Sequence, residues 1–337
     1  MSTPVAFVAK LPPLPAIKEV VRLYKLRAKK QLSQNFILNY NLCKRIIKTA
    51  GSLKNSYVCE VGPGPGGLTR AILEAGAAHL SVIEKDDRFF PTLEELNAAS
   101  HNRMKIYHGD VLHFNMYDIF PPEISRDWSE EPPNAHIIGN LPFSVSTPLI
   151  IRWLREISRK EGAWSRGRVR LTLTFQKEIA ERMVAPVMND QRCRLSVMCQ
   201  NWCDVQHKFT ITGKAFVPSP DVDVGVVQFT PRITPQILTA FEYVEKLLRH
   251  VFHYRPKMCR KGIETLFPPD RPDLTRRLLT RADVHADSRS YSLHVEDFDR
   301  MCQAYKEICD EEPHLLTYDY RSKENAVLWR NRKLLNI

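Results

Sequence analysis

The sequence predicts an α/β fold in which a seven-stranded mixed sheet is followed by a smaller C-terminal helical domain. Short apolar, β-rich runs alternate with helical patterns up to about residue 231, which indicates a largely parallel sheet covered by helices on both faces. A glycine-rich loop lies at the first strand-to-helix junction. From Thr234 onward the sequence no longer shows the apolar, β-rich runs that indicate strands. The length of 337 residues suits two domains.

The elements follow from apolar runs bounded by turn residues. Strands are predicted at residues 57–61, 80–84, 105–108, 136–139, 169–175, 205–211 and 222–229. Helices are predicted at residues 68–76, 86–99 and 148–158, and further helices run from Phe241 to about Leu316. The last two strands are separated by residues 212–221, which is too short for a crossover helix, so we expect them to pair antiparallel.

Four segments result: a basic segment over residues 1–30, an α/β domain over 31–231, a helical domain over 232–320 and a basic tail over 321–337 that we expect to fray. Glu19 is the only acidic residue of the segment 1–30, and the apolar residues of this segment recur at helical spacing. Such a start is typical of an organellar transit segment, and a basic helix that is retained is the alternative.

The net charge of +11 favours a polyanionic partner, with an ordinary solvated basic surface as the alternative. Two basic sets are candidates for phosphate contacts, the first being Arg152, Arg155, Arg159, Lys160, Arg166, Arg168 and Arg170 and the second Arg255, Lys257, Arg260 and Lys261. Eight cysteines without a CxxC pair indicate free thiols in a reducing compartment. No metal site and no membrane span are predicted, because Cys199, Cys203 and His207 lack a fourth partner and prolines interrupt residues 132–151.

The glycine-rich loop spans residues 60–67 between a strand and a helix. Gly62, Gly64 and Gly67 satisfy G-x-G-x-x-G, and Glu84 ends the second strand, where it can accept from ribose hydroxyls. NAD and S-adenosylmethionine fit these features equally well, and a glycine turn without a ligand is the alternative.

Later features favour S-adenosylmethionine. Pro63 and Pro65 lack the N–H groups that a pyrophosphate cradle needs. Asp110 follows the third strand, where a carboxylate can accept from an adenine amino group. Residues 140–143, Asn-Leu-Pro-Phe, follow the fourth strand and suit an aromatic ring with an exocyclic amine: Asn140 and a nearby backbone carbonyl accept from the amine, while Phe143 stacks on the ring. An ordinary Asn-Pro turn is the alternative.

In this order the motifs resemble those of ribosomal RNA adenine dimethyltransferases, especially the mitochondrial members. The resemblance rests on residues 34–37 (QNFI), 60–64 (EVGPG), 83–86 (IEKD), 109–112 (GDVL), 140–143 (NLPF), 195–197 (LSV) and 216–222 (FVPSPDV), and covers about residues 11–316. It implies the Rossmann-like seven-stranded mixed sheet of S-adenosylmethionine-dependent methyltransferases. It also implies dimethylation of N6 on two adjacent adenines in a 3′-terminal hairpin of small-subunit ribosomal RNA, in a pre-ribosomal particle of the mitochondrial matrix, by a monomer.

The resemblance also implies roles for individual residues. The cofactor-binding set is Gln34, Asn35, Ile37, Gly62, Gly64, Glu84, Lys85, Asp110, Val111 and Asn140. The catalytic set is Asn140, Leu141, Pro142, Phe143 and Phe216, with the two phenylalanines on either side of a flipped adenine. Pro256 and Ser290 depart from the family pattern, and Pro256 is expected to kink or end its helix.

Three other functions stay open on the sequence: a mitochondrial DNA-binding transcription factor that retains the fold and contacts the transcription machinery, an NAD-dependent dehydrogenase, and a DNA adenine methyltransferase.

Overall fold

The computed structural model describes residue 11 and residues 35–331, which form two compact units. The first unit comprises residues up to Ala180 together with Asp204–Ile233, and the second comprises Glu181–Cys203 and the chain from Thr234 onward. The sequence predicts that residues 181–203 belong to the first domain. They belong to the second because Asn201 accepts from the backbone N–H of Ile237 at 2.6 Å.

Seven of the nine described strands agree closely with the expected ones, and the short strands β1 and β8 were not predicted. In chain order they are β1 (Phe36–Ile37), β2 (Tyr57–Val61), β3 (His79–Glu84), β4 (Met104–His108), β5 (Ala135–Gly139), β6 (Arg170–Gln176), β7 (Cys203–Ile211), β8 (Phe216–Val217) and β9 (Val224–Pro231). The described residues form a seven-stranded sheet in the order β4-β3-β2-β5-β6-β9-β7, and β1 pairs separately with β8. The expected neighbours β7 and β9 are adjacent.

The sheet brings four strand ends to one edge. Strands β2 to β6 pair in parallel, whereas β9 pairs antiparallel with β6. Val61 is in register with Ile83 on one side and with Gly139 on the other, and Glu84 with His108. The loops that follow β2, β3, β4 and β5 therefore start side by side, at the edge where open α/β sheets bind ligands.

The helices of the first unit cover apolar strands. They are α1 (Tyr40–Ala50), α2 (Gly67–Glu74), α3 (Phe90–Ala99), α4 (Phe143–Arg159) and α5 (Lys177–Val184), of which the last crosses into the second unit. Helix α4 begins five residues before the expected start at Pro148, which lies inside the helix. The expected start came from the apolar residues of this stretch, which begin at Leu149. The earlier start follows from the first turn, where the N–H groups of Val145 and Ser146 donate to the Pro142 carbonyl at 2.9 and 3.0 Å.

The second unit is helical. Its helices are α6 (Arg194–Trp202), α7 (Phe241–Val251), α8 (Cys259–Ile263), α9 (Pro272–Ala282), α10 (Val295–Glu311), α11 (His314–Thr317) and α12 (Lys323–Asn331). Helix α7 ends at Val251, five residues before Pro256, which lies between α7 and α8. The expectation of a frayed tail is wrong for residues 323–331, where Trp329 of α12 donates to the Tyr318 hydroxyl at 3.0 Å. The expected N-terminal helix and residues 332–337 lie outside the described residues.

None of the helices in the described part of the chain is long and apolar enough to cross a membrane.

Candidate active site at the carboxyl edge of the sheet

A cavity of about 350 Å³ opens at the carboxyl ends of β2, β3, β4 and β5. Its lining comes from the loop after each of these strands and from the segment that leads into β1. The residues are Asn35, Phe36, Gly62, Gly64, Ile83, Glu84, Lys85, Gly109, Asp110, Val111, Leu112, Asn140, Leu141, Pro142, Ser144 and Val145. This volume is in the range of a small-molecule or cofactor site.

The glycine loop approaches the cavity on backbone that only glycine adopts comfortably. Gly64 has φ +52°, and a Cβ there would lie 2.8 Å from the Phe36 ring. Glu84 holds this loop from the next strand, because its Oε2 accepts from the Gly64 N–H at 3.0 Å. Its Oε1 accepts from the N–H groups of Lys85 and Asp86, both at 2.8 Å.

Glu84 is 4% exposed, so burial raises its pKa above the ordinary value, while the three backbone N–H groups act in the opposite direction. The carboxylate is thus fixed in position, with lone pairs left for hydroxyl donors of a ligand.

A second carboxylate stands on the neighbouring loop. Asp110 Oδ2 accepts from Lys85 Nζ at 2.9 Å, and its Oδ1 accepts from the Leu112 N–H at 3.0 Å. The hydrogen bond from Lys85 is the main reason that the pKa of Asp110 lies below its ordinary value. Asp110 is therefore an ionised acceptor at neutral pH.

The amide of Asn140 is oriented by two partners. Its Nδ2 donates to the Asn35 backbone carbonyl at 2.7 Å, which only the NH₂ end of the amide can do. Its Oδ1 accepts from the Thr174 hydroxyl at 2.8 Å, and one lone pair of that oxygen remains for another donor. The carbonyl of Pro142 already accepts from the N–H groups at the start of α4. This leaves Leu141 as the source of a second backbone acceptor in the turn.

The structure brings most of the sequence-predicted residues together. Those lining the cavity are Asn35, Gly62, Gly64, Glu84, Lys85, Asp110, Val111, Asn140, Leu141 and Pro142. Gln34 lies outside the described residues.

Ile37, Phe143 and Phe216 lie outside the cavity lining. Phe216 is 2% exposed, in a strand paired with Ile37, so it would have to turn outward to stack on a base. Phe143 is the first residue of α4 and packs partly against the core. Stacking of a target adenine between the two phenylalanines stays a prediction.

Sequence reasoning missed several residues at the site. Phe36 fills the space beside Gly64, and Thr174 orients Asn140 from the adjacent strand β6. Phe36 lies in the QNFI motif, next to Asn35, which was predicted to bind the cofactor. Its position in the sequence could therefore have indicated that it lies at the site. Thr174 sits in an apolar β run, where a threonine is unremarkable, and only the strand pairing identifies it.

Nine of the eleven basic residues expected to contact phosphates fall into three groups. Three of them donate to backbone carbonyls of their own unit: Arg152 to Val111, Leu112 and Phe114, Arg166 to Phe120, and Arg168 to Trp128, Glu130 and Pro231. Arg155, Arg159, Lys160 and Lys257 are exposed and remain candidates for phosphate contacts. Arg260 and Lys261 both face Glu264 within 4 Å, which reduces the positive charge that they present.

The order of the strands in the sheet and the residues that line the cavity define the class of the chain, which is that of Rossmann-like, S-adenosylmethionine-dependent methyltransferases. Two solved structures share the fold. The dimethyladenosine transferase from Plasmodium falciparum is similar with a TM-score of 0.63 at 23% identity, over 81% of this chain and 98% of that one. The 23S rRNA methyltransferase ErmE is similar with a TM-score of 0.54 at 21% identity, over 81% of this chain and 100% of that one.

Residues 25–303 match the family described as Ribosomal RNA adenine dimethylase, and the chain belongs to this family. Among its relatives, Dimethyladenosine transferase 1, mitochondrial, from Homo sapiens is 51% identical, over 93% of this chain and 91% of the relative. The Caenorhabditis elegans protein of the same name is 46% identical, over 94% and 88% of the two chains. The chain is accordingly a ribosomal RNA adenine methyltransferase that uses S-adenosylmethionine.

The cavity fits this cofactor better than a dinucleotide. The carboxylates of Glu84 and Asp110 line the cavity and can accept hydrogen bonds from a ligand. Lys85 is the only Lys or Arg among the described lining residues, and its ammonium contacts Asp110. Because the Lys85 ammonium is already paired with Asp110, the two carboxylates would repel a pyrophosphate, whereas a sulfonium with ribose and adenine offers them donors. No group of three or more metal-ligating side chains occurs within the described ranges.

Proposed function

We propose that this protein dimethylates N6 of two adjacent adenines in a 3′-terminal hairpin of mitochondrial small-subunit ribosomal RNA, and thereby supports ribosome assembly in the mitochondrial matrix. The observation that carries the proposal is the fixed amide of Asn140, held between Asn35 and Thr174 at the cavity edge. The family and the mitochondrial names of the relatives support the substrate class and the compartment.

Glu84 and Asp110 would hold the adenosyl part of the cofactor. Because Glu84 ends β3 and Asp110 follows β4, the two carboxylates stand side by side, with Glu84 suited to the ribose hydroxyls and Asp110 to the adenine amine. The backbone at Gly62 and Gly64 leaves room for the chain that carries the sulfonium. Bound there, S-adenosylmethionine supplies an electrophilic methyl group.

Asn140 and Leu141 would prepare the nucleophile. The remaining lone pair of Asn140 Oδ1 and the Leu141 carbonyl each accept an N–H of the adenine amine, which turns the nitrogen lone pair out of conjugation and toward the methyl group. A bound cofactor would supply its methyl group to this nitrogen and leave as the neutral thioether, and the methylated nitrogen would lose a proton to solvent. The second transfer would need a second cofactor molecule, and because the monomethylated amine keeps one N–H, only one of the two acceptors would be used.

The proposal is tested in cells that lack the protein. Mass spectrometry of their mitochondrial small-subunit ribosomal RNA should find the two adenines unmethylated, and the chain should restore dimethyladenosine when it is re-expressed. Dimethyladenosine that persists in the deleted cells would overturn the assignment.

Asn140→Ala tests the site itself. It should abolish transfer to a hairpin oligonucleotide while leaving S-adenosylmethionine binding measurable. Asn134→Ala is the matched control, because Asn134 lies just before the other end of β5 and its amide also donates to backbone carbonyls, those of Lys54 and Asn55, so the variant should keep normal turnover even if its stability falls. Normal turnover in Asn140→Ala would refute the role of this amide.

A further inference from the structure

Arg152 has a role that its position in the basic set did not suggest. It projects from α4, nine residues after the helix begins at Phe143, and its guanidinium reaches the loop that follows β4. Nη1 donates to the carbonyls of Val111 and Leu112 at 3.2 and 2.6 Å, and Nη2 donates to the carbonyl of Phe114 at 2.8 Å. Nε donates to Glu156 at 2.8 Å, so the guanidinium is itself held in place.

The loop is a single tight turn whose carbonyls need donors. The Asp110 carbonyl accepts from the N–H groups of His113 and Phe114, both at 2.9 Å, and the Asp110 side chain accepts from Leu112. The N–H groups of Leu112, His113 and Phe114 are therefore used within the turn, whereas the carbonyls of Val111, Leu112 and Phe114 need donors from elsewhere, as do the last carbonyls of a helix. A charged guanidinium is a strong donor to such carbonyls.

We propose that Arg152 is a positioning residue for the adenine end of the cofactor. It fixes Asp110, Val111 and Leu112, which form one wall of the cavity. Arg152 belongs to α4, the helix that starts directly after the Asn140 turn. The same helix therefore holds both the cavity wall formed by residues 110–112 and the turn that would bind the target adenine. The inference rests on the proposed contact between Asp110 and adenine.

The test measures base discrimination. S-Adenosylhomocysteine and its inosine counterpart differ at C6 of the base, where an amine in the first is replaced by a carbonyl. Isothermal titration calorimetry of the full-length protein with each ligand gives two dissociation constants and their ratio. A wild-type protein that does not prefer adenine refutes the adenine contact of Asp110, independently of Arg152.

Arg152→Met should weaken binding of S-adenosylhomocysteine about tenfold and should lower the adenine-to-inosine preference, because the wall no longer holds one position. KM for S-adenosylmethionine should rise, while kcat at saturation changes little. Arg152→Lys should recover part of the preference, since an ammonium reaches some of the same carbonyls.

Arg103→Met is the matched control. Arg103 also donates to backbone carbonyls, those of Leu73, Ala77 and Ser100, but it lies outside the cavity lining. It should lower the melting temperature without changing the base preference. An unchanged preference in Arg152→Met overturns the proposal even if affinity falls, and if Arg152→Met does not fold, an unchanged preference in Arg152→Gln, whose side chain is too short to reach the three carbonyls, overturns it.

Discussion

The side-chain amide of Asn140 donates to the backbone carbonyl of Asn35 at 2.7 Å, across 105 positions of sequence. The bond joins the turn after β5 to the segment that enters β1, so two distant parts of the chain meet at the cavity. It also decides which end of the amide faces the Asn35 carbonyl, because a carbonyl can only accept. The amide oxygen is thereby left for Thr174 and for a substrate donor.

The Thr174 hydroxyl is the first point at which this arrangement can be tested. Thr174→Val keeps the shape of a side chain that is 1% exposed but removes the donor to Asn140 Oδ1. Loss of one such hydrogen bond is worth about 1 kcal/mol, which corresponds to roughly five- to tenfold in rate. We expect kcat for methyl transfer to fall by that factor, measured on a hairpin oligonucleotide, with the affinity for S-adenosylmethionine unchanged.

Thr174→Ser separates the hydroxyl from packing. Serine keeps the donor and loses a methyl group, so its kcat should stay near that of the wild-type protein although its stability falls. Equal loss of kcat in the valine and serine variants would assign Thr174 to packing alone.

The sequence predicted the carboxylates and missed the residues that hold the site together, for a physical reason. Glu84, Asp110 and Asn140 each end or follow a strand, and parallel strands bring such positions to one edge whatever the rest of the fold does. Thr174 and Arg152 act through partners that are 34 and about 40 positions away, so their meaning depends on strand pairing and on where α4 packs. The start of α4 at Phe143 was missed because the apolar pattern begins at Leu149, whereas the first turn is formed by backbone hydrogen bonds to the Pro142 carbonyl.

Gly64 is predicted to tolerate no side chain. Gly64→Ala places a Cβ 2.8 Å from the Phe36 ring on backbone with φ +52°, so it adds a steric overlap to backbone strain of about 1–2 kcal/mol. Phe36 lines the cavity and must shift. We expect both a lower melting temperature and at least tenfold weaker binding of S-adenosylmethionine, measured by calorimetry.

Gly51 provides the comparison, because it has φ +99° and no neighbouring atom lies within 4 Å of the position that a Cβ would take there. Gly51→Ala should therefore show the backbone strain alone, with cofactor affinity preserved. Comparable losses of affinity in both variants would mean that the overlap with Phe36 is not what matters.

Glu84→Gln should uncouple the glycine loop from β3. A carboxylate accepts at both oxygens, whereas an amide presents an NH₂ group either to the Gly64 N–H or to the N–H groups of Lys85 and Asp86. Hydrogen bonds to a charged group are worth about 1.5–3 kcal/mol, so the dissociation constant for S-adenosylmethionine should rise roughly 10- to 150-fold. Glu94→Gln, an exposed change on α3, should leave it unaltered. Retention of wild-type affinity in Glu84→Gln would remove Glu84 from the site.

Glu60, the residue before Val61 at the end of β2, is expected to make the free energy of unfolding depend on pH. It is 1% exposed, and burial raises its pKa from 4.5 to about 8, although the neighbouring Thr69 acts against the shift. Because the folded state binds this proton more tightly than the unfolded state, the stabilisation is complete below about pH 4.5 and is lost as the pH rises to about 8. Glu60 should therefore make the protein less stable at alkaline pH.

Glu60→Gln keeps the shape of this side chain and removes its charge at every pH. Denaturant unfolding at a series of pH values from about 5 to about 9 should show a smaller decline in the free energy of unfolding for the variant. At the alkaline end the variant should be the more stable protein, because it does not bury a carboxylate there. His136, whose pKa burial lowers to about 4, is present in both proteins, and its opposite dependence cancels in the difference between them. Parallel curves for the two proteins would mean that Glu60 does not carry the pH dependence.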